Sequence, residues 1–116
     1  MDTKEKVLEL CKILYDKKAT DIEAIQVGEA TIVADWFIIC SGNVVNQVKA
    51  LCDEVEEKSE SVGCKLIRKD GYEAGKWVVL DFGDILVHIF QKEEREYYNI
   101  EHLWSAKDNT IFYPEK

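Results

Sequence analysis

The segment from Trp77 to Phe90 constrains the fold of this chain more than any other. Two mostly apolar runs, WVVLDF and ILVHIF, flank Gly83-Asp84, and such a two-residue connection predicts a tight β-hairpin. Residues that face each other across an antiparallel pair share one face of the sheet. One face of the hairpin is therefore wholly apolar and is predicted to lie in the core: Val78, Leu80, Phe82, Ile85, Val87 and Ile89.

The opposite face of the hairpin mixes aromatic, aliphatic and polar side chains. The predicted cross-strand pairs are Trp77 with Phe90, Val79 with His88, and Asp81 with Leu86. Aromatic residues with a few polar neighbours are typical of protein interfaces, so this face could stay open and bind a partner. Alternatively, the apolar residues of the segment 97–113 could fold over it. The pattern alone favours neither arrangement.

The rest of the chain predicts a single α/β domain. Helices are predicted at 3–18, 44–62 and 93–104, and strands at 22–27, 36–40, 64–68, 77–82 and 85–90. Asp2 with Glu5 resembles a capping box for the first helix, and Asn43 is the expected N-cap of the second. The order α-β-β-α-β-β-β-α indicates a mixed five-stranded sheet with helices mainly on one face. Residues 1–104 would form the domain and 105–116 an irregular C-terminal tail.

Length and charge exclude several classes of protein. The 116 residues are a one-domain length, and no apolar run approaches the ~20 residues of a membrane-spanning helix. The chain has 15 Lys and Arg against 23 Asp and Glu, a formal charge of -8. This charge opposes general nucleic-acid binding and suits a basic protein partner. The N-terminus shows no signal or transit peptide, so a cytoplasmic location is expected.

Candidate catalytic and metal-binding arrangements are weak. Asp81 and Asp84 lie three positions apart, so on a strand they would point to opposite faces and would not hold a metal together. A triad of Ser41, His88 and Asp81 can be drawn, but Ser41-Gly42 is explained more simply by a strand-to-helix turn. The cysteines lack metal-ligand spacing and are expected to be buried: Cys11, Cys40, Cys52 and Cys64. We therefore expect no cofactor, no metal and no enzymatic activity.

Four segments, in order, resemble a known family. Residues 35–42, DWFIICSG, resemble its DYFVIASG segment, and residues 47–56 resemble its second helix. Residues 70–90 resemble its EG…G.WVLLDYGDVVVHVF core, and residues 94–104, EREYYNIEHLW, resemble its EREYYDLERLW ending. From about residue 4 to residue 104 the chain is similar to the ribosomal silencing factor family, also called RsfS or Iojap. It departs from the family at Trp36, Cys40 and Val44-Val45, where Tyr, Ala and small or polar residues are usual.

The resemblance implies a fold related to nucleotidyltransferases but without their catalytic carboxylates. It implies binding to the large ribosomal subunit through its fourteenth protein, a basic protein beside rRNA at the subunit-joining face. The bound factor would block joining of the small subunit and repress translation when nutrients are scarce. A role in large-subunit assembly is the alternative, and a residual nucleotide-binding or nucleotidyltransferase activity at Ser41-Gly42 is a weaker one. Some members form homodimers, so a homodimer is an open alternative here.

The resemblance also assigns the residues that would contact the partner, on the mixed face of the hairpin. Trp77 and Phe90 are expected to be apolar anchors, Asp81 to pair with a Lys or Arg, and His88 to make a polar contact. Tyr72 and Lys76 are expected on the adjoining rim. Four residues of the family's ending could serve either packing or contact: Arg95, Tyr97, Tyr98 and Trp104.

Overall fold

The computed structural model describes residues 1–106 and 108–115, and within them the chain forms six strands and five helical segments. The helices are α1 (Thr3–Asp16), α2 (Val45–Ser59), α3 (Lys92–Tyr98) and α4 (Ile100–Trp104), and a 3-10 turn (Glu60–Val62) follows α2. The strands are β1 (Thr20–Gln26), β2 (Trp36–Gly42), β3 (Arg68–Asp70), β4 (Trp77–Asp81), β5 (Ile85–Gln91) and β6 (Thr110–Tyr113). None of the helices in this described part is long and apolar enough to cross a membrane.

The strands form one mixed sheet in the order β3-β4-β5-β2-β1-β6, in which β2 and β5 are parallel and the other pairs are antiparallel. The predicted α/β domain with a mixed sheet is confirmed, but the prediction of five strands was wrong. The sixth strand, β6, lies in the segment 105–116, where an irregular tail was expected. It pairs with β1, from Ile22 opposite Tyr113 to Ile25 opposite Thr110. So short a strand depends on its distant partner, which the local sequence does not reveal.

The predicted hairpin register is confirmed. Trp77 lies opposite Phe90 and Asp81 opposite Leu86. At the turn, the backbone N–H of Phe82 donates to the carbonyl of Ile85 over 2.9 Å. Gly83 has a φ of 89°, a conformation that favours glycine and that a type II′ turn requires at its first central position.

Helices lie on both faces of the sheet, but mainly on one. The apolar face of the hairpin packs under α1 and α2, whose buried stripes include Leu10, Leu14 and Leu51. On the other face, α3 and α4 cover the middle of the sheet, where Trp104 packs against a second cluster that includes Phe37. All four cysteines are buried, as predicted, and burial raises the pKa of the Cys11 thiol to about 12.

Several helix and strand boundaries differ from those predicted. The capping box of Asp2 and Glu5 is confirmed. The second helix is preceded by Val44 rather than capped by Asn43, whose own backbone N–H donates to Gln47 Oε1 over 2.7 Å. The strand predicted at 64–68 forms instead at β3. The single helix predicted at 93–104 is divided into α3 and α4, because Asn99 takes a left-handed conformation with a φ of 48°.

Candidate interaction surface

The mixed hairpin face is covered where β5 carries His88 and Phe90. Phe90 has no exposed surface and His88 is only 7% exposed. Phe90 stacks against Trp77, with ring centroids 4.8 Å apart, and the ring of Phe37 stands edge-on to His88 at 4.9 Å. The expectation that Phe90 anchors a partner is therefore contradicted by its burial, because the neighbouring rings and the α3–α4 pair already occupy its surface. Phe90 packs instead against the buried side of the Trp77 ring.

His88 holds the indole of Trp77 in place. Trp77 Nε1–H donates to His88 Nδ1 over 3.2 Å, so the imidazole is neutral and carries its proton on Nε2. Burial lowers the pKa of His88 to about 4, which keeps this form dominant at neutral pH. Among the described residues, Nε2 is buried without a hydrogen-bond partner. His88 was expected to make a polar contact with a partner, but its burial gives it instead the task of orienting Trp77.

The β4 half of the same face stays partly open. Trp77, Val79 and Asp81 alternate along β4 and are all half-buried, and Leu86, opposite Asp81, is half-buried too. The carboxylate of Asp81 accepts the backbone N–H of Gly83 over 2.8 Å. This bond holds the side chain at the hairpin turn while its second oxygen makes no hydrogen bond that the structure records.

Two tyrosines from α3 extend this open surface. The ring of Tyr98 lies 4.9 Å from that of Trp77, and Tyr97 packs edge-on against Tyr98 at 5.0 Å. Tyr97 is 81% exposed and Tyr98 is 47% exposed, so both rings are accessible to a partner. We call the resulting surface the interaction strip, and it consists of Trp77, Val79, Asp81, Leu86, Tyr97 and Tyr98.

The two rim residues do not lie together beside the strip. Tyr72 packs against the core on the α1–α2 side of the sheet, where its hydroxyl donates to the Asp53 carboxylate over 2.9 Å. Lys69 Nζ lies 4.2 Å from the centroid of the same ring. Tyr72 therefore ties the β3–β4 loop to α2. Lys76 is exposed immediately before β4, so only Lys76 of the two is available next to Trp77.

Gly71 allows the β3–β4 loop to approach the backbone of Trp77. Its φ is +85°, and a Cβ added there would lie 2.2 Å from the Trp77 carbonyl oxygen. Because the left-handed conformation alone costs about 1–2 kcal/mol for an L-residue, Gly71→Ala should lower the free energy of unfolding by about 2 kcal/mol or more. Urea denaturation measures this loss.

Gly63→Ala is the matched control for Gly71→Ala. Gly63 also has a positive φ, +79°, but an added Cβ would meet only the flexible Lys6 side chain, at 3.2 Å. Gly63→Ala should therefore lose only this conformational cost of about 1–2 kcal/mol, and less than Gly71→Ala. Equal losses in the two variants would contradict a clash at Trp77.

Arg95 and Trp104 are packing residues. Arg95 is 5% exposed and forms ion pairs with Glu23 over 2.8 Å and with Glu101 over 3.1 Å. Trp104 packs edge-on against Phe37, with ring centroids 5.2 Å apart. The sequence left open which residues of the EREYY segment pack in the domain and which contact a partner. In the structure Arg95 faces inward, and Tyr97 and Tyr98 face outward.

Comparison with known proteins decides the family. Residues 1–115 match the family described as "RsfS: Ribosomal silencing factor during starvation". The chain belongs to the RsfS family. It is 43% identical over 89 residues to the ribosomal silencing factor RsfS of Halalkalibacterium halodurans, covering 77% of this chain and 76% of that protein. A mouse protein named "Mitochondrial assembly of ribosomal large subunit protein 1" is 29% identical over 84% of this chain and 44% of its own length.

Solved structures agree with the fold described here for this RsfS-family protein. A crystal structure from Chromobacterium violaceum matches with a TM-score of 0.87 and 32% identity, covering 93% of this chain and 90% of that one. A crystal structure from Bacillus halodurans matches with a TM-score of 0.76 and 37% identity, covering 91% and 96%.

The hydrogen bonds of this RsfS-family chain do not assemble the triad drawn from its sequence. Asp81 is bonded to the turn at Gly83, His88 Nδ1 to Trp77, and Ser41 Oγ accepts from Arg95 over 2.9 Å. Ser41 also lies level with Phe90, whereas Asp81 lies level with Leu86. Ser41 and Asp81 are therefore offset by four residues along β5, about 13 Å along the strand direction.

Proposed function

We propose that this RsfS-family protein binds the large ribosomal subunit and blocks joining of the small subunit. The contact is made by the interaction strip on a basic ribosomal protein at the joining face, which the family resemblance identifies as the fourteenth protein of the subunit. Translation then falls when nutrients are scarce. The observation that carries this proposal is the cluster of exposed aromatic side chains around one carboxylate, on a domain that belongs to the silencing-factor family.

The composition of the strip fits a basic protein partner. Tyrosine and tryptophan supply most of the binding energy at many interfaces because they bury large areas with little loss of side-chain entropy. Asp81 supplies a fixed negative charge among them, which can pair with a Lys or Arg. The net charge of -8 adds long-range attraction for a basic surface.

The proposed action is non-catalytic, since occupying a surface is sufficient to hinder subunit joining. The polar groups that could have formed a catalytic site are used in structural hydrogen bonds, Asp81 at the turn and Ser41 with Arg95. Cosedimentation with separated ribosomal subunits tests the binding: we expect the protein in the large-subunit fraction and absent from the small-subunit fraction. Light scattering on mixing the two subunits tests the block, and undiminished joining with the protein bound would contradict it.

Asp81→Asn is expected to weaken binding to isolated large subunits about tenfold, an effect typical of a charged pair at an interface. The amide oxygen can still accept the Gly83 N–H, so the turn is retained and only the charge is lost. Glu57→Gln is the matched control, because it makes the same charge change at an exposed position on α2, across the sheet from the strip. Similar losses of affinity in both variants would show that the net charge of the protein, and not a local contact of Asp81, strengthens binding.

A role in large-subunit assembly is the second candidate function. It is favoured by the similarity to the mouse protein whose name describes assembly of the mitochondrial large subunit. Both functions use the same contact, so the experiment must follow the consequence of binding. Depletion that causes large-subunit precursors to accumulate, with subunit joining unaffected in a purified system, would favour assembly over silencing.

Proximity to rRNA and homodimer formation are further predictions of the resemblance. Sedimentation equilibrium of the purified protein tests the homodimer. Crosslinking to bound large subunits, followed by identification of the attached protein or RNA, tests the partner.

A further inference from the structure

Arg95 is the buried side chain of α3, and it bonds the helix to the rest of the domain. The Arg95 guanidinium donates to the Asp21 carbonyl over 2.6 Å and to Ser41 Oγ over 2.9 Å. It also donates to Glu23 over 2.8 Å and to Glu101 over 3.1 Å. These partners belong to β1, β2 and α4, so one fork of donors fixes α3 against three other elements. Arginine suits this task because its planar group directs several donors at once.

The neighbouring backbone is shaped to receive this guanidinium. The pairing of β1 with β2 is irregular between Thr20 and Glu23, and Asp21 within this bulge has a φ of 49°. A bulge changes the direction of the carbonyl it contains, and the Asp21 carbonyl accepts the shortest of the four Arg95 bonds. Asn99, also left-handed, ends α3 and donates its backbone N–H to the Arg95 carbonyl over 2.8 Å.

The exposed tyrosines follow this anchored residue on α3. Tyr98 lies three residues after Arg95 on the same helix, a spacing that places two side chains next to each other. Glu101, on α4, accepts a hydrogen bond from Arg95. Tyr98 therefore lies in sequence between two residues that are bonded to each other. Tyr98 in turn packs on Trp77.

We infer that Arg95 is a positioning residue, which sets Tyr98 against Trp77, with Tyr97 packed on Tyr98, and so gives the interaction strip its shape without touching the partner. This inference deepens the proposed function and rests on it for its binding measurement. At 5% exposure Arg95 offers a partner almost no surface, so any effect on binding must pass through the residues it holds.

Arg95→Lys tests the inference, because lysine keeps the charge and loses the fork. The affinity for isolated large subunits should fall about tenfold in the otherwise unchanged chain. With Tyr98→Ala already present, the same change should reduce affinity less than about twofold, since a residue that acts through Tyr98 has little left to act on. If the lysine variant does not fold, Ser41→Ala can replace it, because it removes one acceptor of Arg95. It should cause a smaller loss of affinity, and that loss should also shrink when Tyr98→Ala is present.

A spectroscopic measurement separates positioning from general destabilisation. The indole N–H signal of Trp77, assigned with Trp77→Phe, should shift in Arg95→Lys. The signal of Trp36, which lies in the core on the other face of the sheet, should stay in place. Val7→Ala, which removes volume from the same core far from the strip, should lower stability and leave both the affinity and the Trp77 signal unchanged.

Three results would overturn the role of Arg95: an unmoved Trp77 signal, an unchanged affinity, or an equal loss of affinity with and without Tyr98. If the parent protein does not sediment with large subunits, the proposed function fails. In that case the Trp77 signal still decides whether Arg95 positions the aromatic residues.

Discussion

Replacing Arg95 with methionine should lower the free energy of unfolding by about 3–5 kcal/mol at neutral pH, the range found when one partner of a buried ion pair is removed. Methionine fills much of the space of the arginine stem but leaves Glu23 and Glu101 without their shared cation. Their side chains are only 16% and 22% exposed, so solvation by water compensates little for the lost ion pairs. The Ser41 hydroxyl and the Asp21 carbonyl lose their donors in the same step.

The loss in Arg95→Met should shrink as the pH falls from 7 towards 5. Burial already raises the pKa of Glu23 above its ordinary value, and Arg95 opposes that rise. Without the cation, the pKa in the folded state is higher still, and a carboxyl whose folded pKa is raised gains stability as it becomes protonated. Urea denaturation at several pH values measures this dependence.

Arg68→Met is the matched control for Arg95→Met. The Arg68 side chain is 71% exposed and, within the described residues, its ion pair is with Asp70, which is also exposed, so its loss should change stability by less than about 0.5 kcal/mol. A loss in Arg95→Met as small as that of Arg68→Met would contradict the buried network.

The hairpin could be predicted from the sequence because its signals are local. Gly83-Asp84 fixes the turn, and strict alternation then assigns every residue of β4 and β5 to a face. The apolar face and the cross-strand pairs were therefore correct. The capping box of α1 is local in the same way, since both of its partners lie within one helical turn.

The covering of the mixed face could not be predicted, because it depends on residues distant in sequence. The break at Asn99 is one left-handed residue, and it folds α4 back so that Trp104 reaches Phe37. This packing buries Phe90 and His88 while leaving Trp77 partly open. The pairing of β6 with β1 is also a long-range contact.

The mixed face of the hairpin is partly open in the structure, but which of its residues stay accessible was only partly predictable. Trp77 and Asp81 remain on an open surface, whereas Phe90 does not. The EREYY segment held a signal that could have been used. If Arg95 faces inward on a short helix, at least some of the three residues that follow it must face outward. The structure shows that Tyr97 and Tyr98 are the ones left outside.

Acidification should destabilise the protein through His88. Burial lowers the pKa of His88 in the folded state to about 4, from 6.5 when exposed. Between these values the unfolded chain binds the proton and the folded chain does not, so the stabilisation is fully present above pH 6.5 and is lost as the pH falls towards 4. The full loss is about 3 kcal/mol, of which about 2 kcal/mol should be lost by pH 5.

His88→Gln isolates this contribution. The glutamine carbonyl can accept the Trp77 N–H in place of Nδ1, and an amide does not titrate. Urea denaturation from pH 7.5 to pH 5 stays above the sequence pI of about 4.8, and over this range the variant should lose about 2 kcal/mol less than the parent. The opposite effect of Glu23, whose pKa is raised, is present in both proteins and cancels in the difference.

Over the same range the indole signal of Trp77 in the folded protein should stay in place, because folded His88 takes up the proton only as the pH approaches 4. Acid therefore acts first on the stability of the domain, and the bond from Trp77 to Nδ1 is lost only when His88 itself is protonated. Parallel stability curves for the parent and His88→Gln would contradict the burial of a neutral imidazole at this position.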